Sequence, residues 1–202
     1  MTRTSIHRRS YDCEAFDEGD GTIRVRGRLT DTRPQGLCRA DGDPLVIHDM
    51  SVDLVVRPPS FEISEVATEM LTRPYATCPG VLGAYQQLVG CSIARGFNRR
   101  VRELFGGPRG CSHVGALLQA MAPVAIQASW SHATLDERPE DRARDTGPAD
   151  RDRQRRLNTD SCHVWAADGD QIQRLAAGRA SRRPEWEVAR LRDLGLAVEE
   201  AR

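Results

Sequence analysis

The residues of this chain best suited to chemistry are six cysteines, at 13, 38, 78, 91, 111 and 162, and five histidines, at 7, 48, 113, 132 and 163. Two pairs stand out by spacing. Cys111-Ser112-His113 and Cys162-His163 each bring a sulfur and an imidazole within two residues, after turn-forming sequence. Cys78 directly precedes Pro79, and proline is favoured at the first helical position, which predicts Cys78 as a helix cap. Cys111 follows the run Gly106-Gly107-Pro108-Arg109-Gly110 and precedes Ser112, the expected cap of another helix. Both thiols are thus expected at the positive end of a helix, where unpaired N–H groups favour an anion and hence the thiolate. A thiolate serves equally as metal ligand and as nucleophile.

The leading expectation is a metal-dependent enzyme, with zinc or non-haem iron held by Cys78, Cys111, His113 and one of Cys162 or His163. An open coordination position would take water or substrate. His48 or Asp160 would transfer the proton, and Arg109 with Gly110 would bind a small-molecule substrate, anionic where Arg109 meets it. There is no Cys-x-x-Cys, so the ligand set would come from separated segments rather than from a finger or ribbon. One alternative is a metal-free thiol enzyme acting on an acyl or electrophilic substrate, with Cys111 as nucleophile and His113 or His163 as base. Another is a non-catalytic protein that binds metal or an iron-sulfur unit, or serves in assembly. Against all three stands the fact that free cysteine is often a small buried hydrophobe. Cys13, Cys38 and Cys91 are read that way, His7 and His132 as surface histidines. His48 lies on an apolar strand face, where alternation points the adjacent Asp49 the other way.

These residues need elements to position them. Residues 1 to about 21 read as a polar extension. Ile23, Val25 and Leu29 alternate with Arg24, Arg26 and Arg28, the period of a half-buried strand with a cationic outer face. Leu45 to Arg57 is a second strand, stopped by Pro58-Pro59. From Ser64 the pattern reads as helical. Val66, Ala67, Met70 and Leu71 make a short stripe, Val81 to Val89 a second, Ile93 to Phe105 a third, and Val114 to Ala125 a fourth that Pro123 should kink or shorten. Between Asp136 and Arg156, 14 of 21 residues are charged, which reads as an exposed loop or disordered linker. Two short helical patterns follow, the second opened by Pro184.

Across the 202 residues, 29 basic and 29 acidic side chains cancel, and every basic one is arginine. The absence of lysine excludes a Schiff-base lysine, a pyridoxal-phosphate lysine and a P-loop. Neutrality argues against a nucleic-acid partner. The opening run lacks the apolar core of a secretory signal, and Ala116 to Ala128 is too short for a bilayer, so the expectation is a cytoplasmic protein with reduced cysteines and no membrane partner.

His48-Asp49-Met50, Pro74 with Cys78, Leu88-Val89-Gly90, Gly96-Phe97, Gly106 to His113 and Ser161 to Trp165 resemble, in that order, a bacterial family catalogued as domain of unknown function 2889. The resemblance covers about residues 6 to 166 and implies a compact bacterial cytoplasmic domain with no assigned reaction. Positions matching its motifs are His48, Cys78, Gly110, Cys111, His113, Cys162 and His163. The expected architecture is α+β, a small antiparallel sheet packed against a helical layer, in a single domain over 1–166, with the charged loop at 136–156 and a helical extension over 167–202.

Overall fold

The computed structural model describes residues 3–39, 41–94, 96–144 and 147–198, apart from the side chain of residue 143. The fold is α+β. Four strands, β1 (Arg8–Asp17), β2 (Ile23–Arg33), β3 (Leu45–Arg57) and β4 (Glu62–Thr72), form one antiparallel sheet in the order β1-β2-β3-β4. Helices α1 (Phe97–Phe105) and α2 (Ser112–His132) and a 3-10 segment (Cys78–Leu88) pack on one face. Beyond them come α3 (Pro139–Ala143), α4 (Pro148–Asn158), α5 (Asp170–Ala176) and α6 (Glu185–Asp193). The chain divides into two compact units, Met1–Thr134 and Leu135–Arg202.

Alternation decides the sheet. On β2 the inward positions Ile23, Val25 and Leu29 are buried, and on β3 so are Met50, Val52, Leu54 and Val56. They meet Leu117, Leu118 and Met121 of α2. Gly27 continues the inward row, and a Cβ there would lie 2.6 Å from Met121 Sδ, so the glycine lets the helix approach the sheet. On the outer face the β2 arginines are each paired: Arg24 with Glu18, Arg26 with Asp53 and Arg28 with Asp49. The row read as cationic is therefore neutralised by its neighbours.

Three expectations are corrected. The polar extension contains β1, which pairs with β2 over ten residues. The helix expected from Ser64 is strand β4. Its register against β3 shifts between Val55 and Val56, so Ser64 is an extra residue, and a second shift beside Asp49 makes Leu71 another. Bulges of this kind turn a period of two into a spacing of three, and the buried positions Ile63, Val66 and Met70 then mimic a helical stripe. The charged stretch 136–156 carries α3 and most of α4 rather than a structureless linker. Opposite charges three and four residues apart support these short helices, as in Arg138–Asp141, Arg155–Asp152 and Arg156–Asp152. Helix α2 also runs through Pro123 to His132. Among the described residues no helix is long and apolar enough to cross a membrane.

Candidate functional site

The inward row of β2 does not end at Leu29. Two residues on, the same face carries Asp31, whose side chain is 1% exposed. Strand register sets its neighbours: Arg9 of β1 and His48 of β3 are its direct cross-strand partners, so three strands present three polar side chains on one rung. The β2–β3 register slips just past this rung, leaving Ile47 as the extra residue. A bulge beside a buried polar rung is a common means of aiming side chains. Arg9 grips the carboxylate with both arms, Nε to Oδ1 and Nη2 to Oδ2, each at 2.7 Å. His48 Nδ1 lies 2.9 Å from Oδ2.

From above, α2 starts over this rung. Its cap is Cys111, in extended backbone conformation, and His113 occupies the first turn. His113 Nε2 lies 3.4 Å from Asp31 Oδ2, its Nδ1 lies 3.7 Å from Cys111 Sγ, and its ring stacks on that of His48 with centroids 3.9 Å apart. Cys111 Sγ also rests 3.9 Å from Met50 Sδ. The Cys111 backbone is pinned by Tyr85, a fully buried tyrosine whose hydroxyl accepts the Cys111 N–H at 2.8 Å. Gly110 before it has no room for a side chain, since a Cβ would lie 2.5 Å from Phe105 Cβ and 2.6 Å from Phe105 O.

The electrostatics follow from these contacts. The Arg9 guanidinium, helped by His48 and His113, holds the Asp31 carboxyl down at about 2, against the opposing effect of burial. Burial, then the neighbouring His48 and Arg9, push His113 below the ordinary histidine value, which favours its neutral form. Burial pushes the Tyr85 phenol up to about 12. An ionised carboxylate only accepts, so it favours the tautomers of His48 and His113 with the proton on the nitrogen that faces it. A neutral His113 with its proton on Nε2 then presents a bare Nδ1 to the Cys111 thiol.

The residues singled out by sequence divide between the two units. Cys111, His113 and His48 come together as described. Cys78 is the first residue of the 3-10 segment, whose cap is Thr77, and it packs against the apolar core. Among the described residues the group of three or more side chains whose ligand atoms lie within 4.8 Å of one another is Asp31, His48 and His113, without Cys78. Cys162 and His163 are exposed in the unit Leu135–Arg202. Asp160 belongs to the same unit and turns its carboxylate inward on its own loop, accepting the Ala167 N–H at 2.9 Å. Arg109 is exposed in a 3-10 turn (Gly107–Arg109). All six cysteines are free.

The sequence model of the family described as Protein of unknown function (DUF2889) matches residues 7–127. The chain belongs to this family. The DUF2889 match begins just before Arg9 and ends within α2, so it takes in Arg9, Asp31, His48, Tyr85, Cys111 and His113. Cys162 and His163 lie beyond it. No curated protein and no solved structure matches the chain.

Two members of the site, Arg9 and Asp31, were not singled out from the sequence. For Asp31 the signal was present, since continuing the alternation Ile23, Val25, Gly27, Leu29 by one step puts a carboxylate on the buried face. Arg9 has no comparable local signature.

Proposed function

We propose that this chain is a thiol enzyme acting on an acyl or otherwise electrophilic substrate, with Cys111 as nucleophile, His113 as base and Asp31 as the group that orients the base. The observation that carries this reading is the position of His113, whose two ring nitrogens face the Cys111 sulfur at 3.7 Å and the Asp31 carboxylate at 3.4 Å. That is the order nucleophile, base, orienter found in triad chemistry. The proton of the thiol passes to Nδ1 as sulfur bonds to the electrophilic carbon. The same proton then leaves with the departing group, and water or another acceptor releases the acyl group from sulfur. Asp31 stays ionised and steadies the imidazolium, and Arg9 in turn holds the carboxylate.

A resident metal centre is less favoured by charge. Arg9 already neutralises Asp31, so an ion at Asp31, His48 and His113 would add two positive charges beside a guanidinium in a half-buried place. Cys78 lies outside the group of ligand atoms that converge.

The test is iodoacetamide labelling of the full chain with mass-spectrometric assignment of each cysteine. Cys38 and Cys162 are exposed and serve as internal references, whereas Cys111 is only partly exposed. The expected result is that metal-free Cys111 is alkylated near neutrality at least about tenfold faster than either reference, and that His113→Gln removes the advantage. Labelling of Cys111 no faster than the references would defeat the reading.

A further inference from the structure

The nitrogen–oxygen cluster that orients the base has a second use. We propose that Asp31 Oδ2, His48 Nδ1 and His113 Nε2 form an inhibitory site for a divalent transition-metal ion of the zinc class, loosely held, which switches the thiol off.

The geometry is close to what such an ion needs. The oxygen lies 2.9 Å from the His48 nitrogen and 3.4 Å from the His113 nitrogen, and one ligand atom from each of the three residues falls within 4.8 Å of the others. Neighbouring ligands on a tetrahedral ion with bonds of roughly 2.0–2.1 Å sit about 3.3–3.4 Å apart, so the Asp31–His113 pair already has that separation, the Asp31–His48 pair must open by about half an ångström, and the two stacked rings must splay to aim both nitrogens at the ion. The three groups come from β2, β3 and α2, and the cross-strand register already fixes the first two. Two imidazoles with one carboxylate suit zinc, copper or nickel, whereas magnesium and calcium prefer all-oxygen surroundings. Arg9 donates to both carboxylate oxygens, Oδ2 included, so it orients this ligand while it competes with and repels the ion, which makes the site reversible rather than permanent.

Inhibition follows from the ring of His113. A histidine that coordinates through Nε2 carries its proton on Nδ1, and Nδ1 is the atom that faces Cys111 Sγ. With the ion bound, His113 becomes a donor to the sulfur and can no longer take its proton. Ion binding and proton abstraction are mutually exclusive uses of one imidazole. The inhibitory half of this proposal rests on the thiol reading, and the ion-binding half does not.

The experiment is a titration of chelator-treated full chain with zinc chloride, followed by calorimetry, by NMR of the histidine ring protons, and by the iodoacetamide rates of Cys111. One equivalent is expected to bind, to move the resonances of His48 and His113 and not that of His163, and to slow Cys111 labelling at least about tenfold. Cys38 and Cys162 should be unaffected, chelator should restore the rate, and magnesium should do nothing. His48→Ala should weaken zinc at least about tenfold and bring the ratio of rates with and without zinc to near one, whereas Arg9→Gln should tighten zinc by about tenfold or more. Wild-type protein whose His48 and His113 resonances ignore zinc would overturn the site, whatever the variants do. So would zinc binding that survives His48→Ala but is lost in Cys111→Ser, because the ion would then sit on the thiol. If zinc binds as described but Cys111 is slow even in its absence, the ion site stands and the thiol reading fails. If Cys111 is fast and bound zinc leaves it fast, the inhibitory coupling fails alone.

Discussion

Arg9 and Asp31 form the most consequential ion pair of the site, and their unequal burial makes a sharp prediction. Asp31 is 1% exposed and Arg9 35%. Arg9→Ala strands a carboxylate among apolar neighbours with only imidazoles to face it. Breaking a buried pair in this way costs about 3–5 kcal/mol. Asp31→Asn leaves an arginine that already reaches water, and the amide oxygen still accepts one of its N–H groups, so the loss is about 1–2 kcal/mol. The difference, roughly 2 kcal/mol, corresponds to about 5 °C in melting temperature for a chain of this size. Scanning calorimetry of the two full-length variants at pH 8 reads it directly. The gap should narrow at pH 5.5, because losing Arg9 also removes one of the cations that keep His113 neutral, and a protonated His113 can then stand in for the guanidinium. Asp31→Asn melting at or below Arg9→Ala at pH 8 would refute the reasoning, since it would mean that the carboxylate is not the buried, dependent partner.

Other outcomes follow from the same contacts. Because the folded Asp31 titrates at about 2 against an ordinary 3.8, its contribution to stability is fully present above pH 4 and is lost as pH falls through 2. The shift is worth at most about 2.5 kcal/mol, and urea midpoints between pH 5 and pH 2 should show an acid limb that Asp31→Asn diminishes. Tyr85 is raised to about 12, so its contribution is present below pH 10 and disappears as pH rises through 12. Ultraviolet titration should show one late tyrosine, absent in Tyr85→Phe, and that variant should lose about 1–3 kcal/mol because the Cys111 N–H is left without its acceptor. Gly110→Ala would press a methyl group into the Phe105 backbone, so it should destabilise the protein and slow Cys111 labelling together, as a shifted cap moves the sulfur away from His113. Gly27→Ala presses on the buried side chains of Met121 and Leu117, away from the cap of α2, and should cost about 1–3 kcal/mol in urea denaturation while leaving Cys111 reactivity in place.

What could be read from the chain alone is what short windows encode. Alternation over Ile23 to Leu29 and over Leu45 to Arg57 determined two strands and their buried faces, and the glycine-rich run before Ser112 determined where α2 begins. The α+β class followed from these, as did the nearness of Cys111 to His113, since both belong to one helix start. Each of these facts depends on residues a few positions apart, whose geometry the backbone fixes by itself. Strand β4 escaped because two bulges change the parity of its inward positions, and a bulge is defined by the partner strand, not by the strand that carries it. The short charged helices are hidden by a composition with almost nothing apolar, and only the spacing of opposite charges marks them. The rung of Arg9, Asp31 and His48 lay furthest out of reach. It joins residues 22 and 17 positions apart through the register of three strands, and that register is settled by the packing of the whole inward face against α2. A carboxylate at the end of an apolar row is legible as an oddity in sequence, but only the assembled sheet supplies the guanidinium that ionises it and the two imidazoles that share its oxygen.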